Sequence, residues 1–210
     1  MSVRERVVRG SVVSEHIVQF FDTDESRAEC VAGFLGEGIA NGEPAIVVAK
    51  PSNWAATLEC LEDRGVPVQR ALDEGMIVVR DAEDTLRRIC RHDVPDSTAF
   101  EHVVGKAVTG LASRGGRVRA YGEMVDILAQ NAELGDAIKL EGLWNKLGER
   151  TPFFLLCGYS AAHFVATSAR RALRDICSAH SSVHRHPQDP LATWLLNSAH
   201  DAPDAASIIH

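Results

Sequence analysis

The chain has 210 residues, of which 45% are hydrophobic and 24% charged, and a formal charge of −7. That is the make-up of a globular chain with room for one domain and a substantial core, and the acidic balance argues against a broad nucleic-acid surface. No apolar run approaches the ~18 residues of a membrane span, no apolar signal core follows the arginine-bearing start, and the five cysteines form no Cys-x-x-Cys pair, so a cytoplasmic protein with reduced thiols is expected.

Five short apolar runs predict strands: His16–Asp22, Ala45–Lys50, Met76–Asp81, Val118–Glu123 and Phe153–Tyr159. The second, third and fifth are almost continuously apolar, as in a parallel sheet covered on both faces. Helical spacing fills the gaps, at about Asp24–Ala40, Trp54–Arg64, Ala82–Cys90, Ser97–Ser113, Val125–Ala129, Glu133–Leu147 and Ala166–Ser178. Asp24 is expected to cap the first helix and Asn53 the second. Alternating strands and helices predict an α/β fold: three layers, with a mostly parallel central sheet flanked by helices. The expected division is an N-terminal arm (1–13), one domain (14–182) and a C-terminal tail (183–210), the tail carrying a short docking helix at Trp194-Leu195-Leu196.

In such a sheet ligands bind beyond the carboxyl ends of the strands. Polar residues gather there: Lys50 and Ser52 after the second strand, Tyr121 and Glu123 on the fourth, Tyr159 on the fifth. Lys50-Pro51-Ser52-Asn53 opens a helix, where backbone N–H groups favour an anion. Glu123 is expected either to accept from a ligand or to pair with Lys50, Arg117 or Arg119. Glu141 falls inside the apolar arc of its helix at ~100° per residue, so it needs a partner: His16, Arg119 or the ligand. His16 suits a ligand by its chemistry, yet it begins a strand and so stands at the end of the sheet away from the ligand edge. Cys157 reads as a small buried hydrophobe, and the two phenols as the lining of an aromatic pocket. His180, His184 and His186 invite a metal reading with Cys177, but Pro187 favours a solvated histidine-rich tail, and neither a metal nor a cofactor is expected.

The block Phe34-Leu-Gly-Glu-Gly-Ile-Ala-Asn-Gly-Glu-Pro-Ala-Ile-Val-Val-Ala-Lys50 is similar to the sheets of RecA/KaiC-like nucleotide-binding domains. The sequence has no Gly-x-x-x-x-Gly-Lys-Ser/Thr loop to grip a triphosphate. Together with His16-Ile-Val-Gln-Phe-Phe, Arg117-Val-Arg-Ala-Tyr-Gly-Glu-Met124, Leu140-Glu141-Gly-Leu-Trp-Asn, Leu156-Cys157-Gly-Tyr159 and Ile176-Cys-Ser-Ala-His180, the block resembles the MEDS sensory domain of DcmR-type regulators. The resemblance covers about residues 14–182. It implies a non-enzymatic, KaiC-like domain that senses a small organic molecule, with Lys50, Ser52, Tyr121, Glu123, Tyr159, His16 and Glu141 as the expected ligand-binding residues. Such domains usually accompany an output module, and none is recognised here. The signal is therefore expected to pass to a kinase, anti-sigma or transcription-regulating partner, or through a homodimer. The competing readings are a divergent nucleotide binder or weak ATPase, a metal-dependent enzyme using the C-terminal histidines, and a pure interaction protein.

Overall fold

The computed structural model describes residues 14–200, so the expected N-terminal arm and the end of the tail lie outside the described residues. Strand β1 (Glu15–Phe21) leads through helix α1 (Asp24–Ala40) to β2 (Ala45–Ala49). Two helices, α2 (Pro51–Asp63) and α3 (Val68–Asp73), then connect to β3 (Ile77–Asp81). A longer excursion follows: α4 (Ala82–Ile89), the two-residue strands β4 (Cys90–Arg91) and β5 (Val94–Pro95), α5 (Ser97–Phe100), a π-helical turn (Glu101–Gly105) and α6 (Lys106–Ala112). The chain returns as β6 (Val118–Gly122), α7 (Met124–Gln130), α8 (Leu134–Gly148) and β7 (Phe153–Ser160). It closes with α9 (Arg170–Ala179), β8 (Ser182–His184) and α10 (Pro190–His200).

Six strands form one sheet in the order β3-β2-β6-β7-β1-β8, and every pairing is parallel. The period-two alternation of strand side chains sorts them into two cores. On one face Ile17, Val47, Tyr121 and Leu156 pack under α1, α2 and α3. On the other, Val18, Val48, Ala120, Leu155 and Cys157 pack under α4 and α6 to α10. All five residues of β2 are buried, which is why that strand reads as an unbroken apolar run. This is the expected three-layer α/β fold.

Several local expectations are corrected. The first helix is capped by Thr23, whose hydroxyl accepts from Ser26 N at 3.1 Å, and Asp24 lies in its first turn. Helix α2 begins at Pro51 behind Lys50, because proline suits the first helical position, and this frees the Asn53 side chain for other work. The long helix expected over Ser97–Ser113 is interrupted by the π turn. The edge strand β8 was unforeseen, since three residues in a histidine-rich stretch carry no strand pattern. With α9 ending at Ala179, His180 and His184 do not share a helix face.

The glycine-rich block has a specific packing role. A Cβ built on Gly38 would stand 2.6 Å from Arg119 Cδ. Arg119 runs past that bare backbone to donate to Phe34 O at 2.8 Å and to pair with Glu37 and Glu43.

Candidate functional site

Chain order decides where a ligand crevice opens. From β2 the chain moves outward to β3, whereas from β6 it crosses to β7 on the other side, and the connecting helices lie on opposite faces. Such opposed departures part the loops beyond the strand ends, the usual ligand position in open parallel sheets. Lys50 is the first residue beyond β2 and Glu123 the first beyond β6.

The Glu123 carboxylate is fully buried and saturated with donors. One oxygen accepts from Tyr121 Oη at 2.8 Å, and the other from Lys50 N at 2.8 Å and Asn53 Nδ2 at 3.0 Å. Burial pushes its carboxyl above the ordinary range, against the pull of the Lys50 N–H, Arg27, Tyr121 and Asn53. It thus ties β2, β6 and α2 together at the crevice floor. The Arg117 and Arg119 pairings considered from sequence do not form: Arg119 stays under α1, and Arg117 lies 3.9 Å over the Phe154 ring.

One helical turn further, Asp126 accepts from Ser160 N at 2.7 Å and lies 3.2 Å from His163 Nε2. Lys50 Nζ reaches across to Gln130 Oε1 at 3.1 Å and stands 3.6 Å from Asp126. Burial opposes the Asp126 charge, but His163, Arg27 and the Ser160 N–H outweigh it and hold the carboxyl below its ordinary value. Arg27, from the start of α1, enters this acidic ring from the other side. It is 5% exposed, its Nε has no hydrogen-bond partner, and its nearest carboxylates, Asp24 and Asp126, stand off at 3.8 and 3.9 Å. Burial works against its charge, yet Tyr121, Asp126 and Glu123 raise the guanidinium further. Arg27 escaped the sequence reading because an arginine on the first turn of an acidic helix looks solvated.

A second cluster lies on the opposite face of the sheet, between β1, β7, α8 and α9. Glu141 is fully buried, which rules out a rim position. Its Oε2 is 3.1 Å from His16 Nε2 and 3.2 Å from Cys157 Sγ. Its Oε1 accepts from Tyr159 Oη at 2.7 Å and lies 3.3 Å from His180 Nε2. The two imidazoles lie tilted at 48° with centroids 4.0 Å apart, and His16 Nε2 is 3.3 Å from Cys157 Sγ. Burial opposes the Glu141 charge, but His180 and His16 overcome it and hold the carboxyl far below the ordinary range. Burial, reinforced by Glu141, pushes the Cys157 thiol and the Tyr159 phenol well up.

The structure therefore divides the seven expected ligand-binding residues. Lys50, Tyr121 and Glu123 meet at the crevice, whereas His16, Glu141 and Tyr159 meet beneath the sheet. Ser52 is exposed and contacts only its neighbour Asn53, at 3.4 Å. The two phenols do not line one aromatic pocket, because β6 and β7 project them to opposite faces. Cys157 is buried, but in a polar cluster rather than as a plain hydrophobe. His180 turns inward with a fully buried side chain, while His184 is exposed, so the three histidines are not one solvated group. An open groove of about 510 Å³ lies elsewhere, at the π turn and α8, where Ser97, Phe100, Lys146 and Arg150 line it. It gathers no buried titratable group, so the crevice is the better candidate.

Among curated proteins no match is found. A family model described as "MEDS: MEthanogen/methylotroph, DcmR Sensory domain" matches residues 15–181, from the start of β1 to the residue after His180, and so spans both buried clusters. The chain belongs to the MEDS family of sensory domains.

Proposed function

We propose that this chain is a non-enzymatic regulatory sensor that takes a small organic ligand bearing an anionic or strongly accepting group at the crevice between β2 and β6. The observation that carries this reading is Arg27, a buried guanidinium whose Nε has no hydrogen-bond partner and whose nearest carboxylates stand off at 3.8 and 3.9 Å, while the neighbouring Glu123 carboxylate is already taken by three other donors. A buried donor without an acceptor costs roughly 1–3 kcal/mol, and a ligand carboxylate or polarised oxygen would relieve that cost. Lys50, whose ammonium spans the crevice, would swing to admit it, and Asn53 and Tyr121 would flank its polar end.

The route outward runs through α1. Ser26, beside Arg27, donates to Asp189 at 2.6 Å, and Asp189 also accepts from Asp22 N. Asp22 in turn accepts from Leu191 N and Ala192 N, at the start of α10. A shift of the first turn of α1 on binding would therefore move α10, whose Trp194 is 50% exposed and suits contact with a signalling partner.

Calorimetry and thermal-shift measurements with small carboxylic acids, alcohols and halogenated compounds test the reading. Saturable binding is expected in the wild type, with the response to acids lost in Arg27→Met. A titration with magnesium and ATP should stay flat; saturation there would instead favour a divergent nucleotide binder. No response to any of the small compounds, or an undiminished one in R27M, overturns the proposal.

A further inference from the structure

We infer that His16, Glu141, Cys157 and His180 form a closed binding site for a divalent transition-metal ion of the zinc class. The site lies on the other face of the sheet from the crevice and stands independently of the proposed ligand.

The first argument concerns protons. The Asn145 amide nitrogen donates to Ala179 O at 2.9 Å, which turns its oxygen toward His16 Nδ1 at 2.8 Å. An amide oxygen only accepts, so Nδ1 of His16 carries the hydrogen. His180 Nδ1 lies 2.7 Å from Ile176 O, a carbonyl, and is likewise the donor. In the neutral imidazoles both Nε2 atoms are then bare lone pairs, and both face the Glu141 carboxylate. Three acceptors converge in a dry space, and His180 Nε2 has no hydrogen-bond partner despite being fully buried. A cation at their centre resolves the conflict, a proton on an imidazole in the metal-free protein and a metal ion when one is bound, and fixing Nδ1 as donor is how proteins prepare a histidine to ligate through Nε2.

Distance and charge agree. Zinc bonds of about 2.0–2.3 Å set the donors of a tetrahedron roughly 3.3–3.7 Å apart. Glu141 Oε2, His16 Nε2 and Cys157 Sγ stand 3.1 to 3.3 Å from one another, His180 Nε2 is 3.3 Å from the other carboxylate oxygen, and one ligand atom from each of the four residues lies within 4.8 Å of the rest. A thiolate and a carboxylate supply two negative charges and the imidazoles none, so a divalent ion leaves the buried site neutral, as the low dielectric requires. One sulfur and two nitrogens disfavour magnesium and calcium. Four protein ligands, with Tyr159 Oη steadying the carboxylate, leave no open position for a substrate, which marks a structural or sensory ion rather than a catalytic one. Loading is proton-balanced: metal–ligand bonds replace the S–H bond of Cys157 and any N–H bond at an imidazole Nε2, those protons pass to solvent, and nothing is oxidised or reduced.

The full chain, stripped with a chelator, would be titrated with Co²⁺ as a spectroscopic stand-in. Saturation at one ion per chain is expected, with thiolate-to-cobalt charge transfer, the strong visible bands of tetrahedral cobalt, and displacement by Zn²⁺. Cys157→Ser should abolish the charge-transfer band, while a double variant His184→Ala, His186→Ala should keep the whole spectrum. Absence of a saturable thiolate band in the wild-type protein overturns the assignment whatever the variants do. Loss of binding in the double variant with retention in C157S overturns it as well, by placing the ion on the surface histidines.

Discussion

Glu123 and Glu141 are the same side chain, each accepting a tyrosine hydroxyl on a fully buried oxygen, yet their surroundings push them in opposite directions. Glu123 is drawn up by burial because its donors are mostly uncharged, whereas Glu141 is drawn down because two histidines face it. The need of Glu141 for a partner was legible, since a carboxylate among Leu134, Ala137 and Trp144 on a helical wheel cannot be solvated. Its coupling to His180 was not, because that contact depends on where α9 stops. Two substitutions probe this scale. Asp126 has a depressed folded-state pKa, so the stability it contributes is fully present above its ordinary value of 3.8 and is lost as pH falls through the lower folded value. Asp126→Asn should therefore cost about 1–3 kcal/mol at neutral pH, and urea denaturation should show the gap to wild type closing only below that ordinary value. A gap independent of pH would mean that the carboxylate's charge contributes nothing. Gly158 lacks a Cβ where one would meet Tyr121 Oη at 2.9 Å and Phe21 Cε2 at 3.1 Å. Gly158→Ala is expected to displace the Tyr121–Glu123 pair and cost roughly 1–3 kcal/mol, and an unchanged denaturation midpoint would count against that packing role.

At the scale of elements, five strands of the sheet were legible because each is an apolar run bounded by polar turns, β3 at one edge included, whereas β8 at the other edge was not. Strand β8 is held by its neighbours rather than by its own pattern: Ser181 exchanges bonds with His16, donating N–H and hydroxyl to its carbonyl and accepting its N–H. Helix α3 and the short β4/β5 hairpin were missed for the same reason, since each is too short to display a period. Helix α10 is docked by a reciprocal clasp of two carboxylates from distant parts of the chain, and that reciprocity has no sequence signature. Asp22 performs the work of an N-cap from the end of β1. Asp22→Ala should cost about 0.5–2 kcal/mol, the range for a lost cap, and should open α10 to limited proteolysis before the rest of the domain. Equal cleavage rates at α10 in the variant and the wild type would show that the buried Ala192, Leu195 and Leu196 suffice to hold it.

Across the described residues, one parallel sheet separates two cores, and each buried polar cluster lies against a different face. The strands that carry one cluster also bound the other: β7 presents Cys157 and Tyr159 downward and the bare backbone of Gly158 upward against Tyr121. Neither core can be lost without stripping one face of these same strands, so the two layers should melt as one unit despite being chemically distinct. Among the described residues no helix is long and apolar enough to cross a membrane. Leu35 lies in the α1 layer and Leu140 in the α8 layer, both fully buried. Leu35→Ala and Leu140→Ala should each cost about 2–5 kcal/mol, as buried leucine truncations do. Each should lower the midpoint of a single transition, reported identically by near-ultraviolet circular dichroism and by the fluorescence of Trp54 and Trp144, which lie on opposite sides of the sheet. Two separated transitions in either variant would mean that the sheet insulates its faces and that the two layers are separate cooperative units.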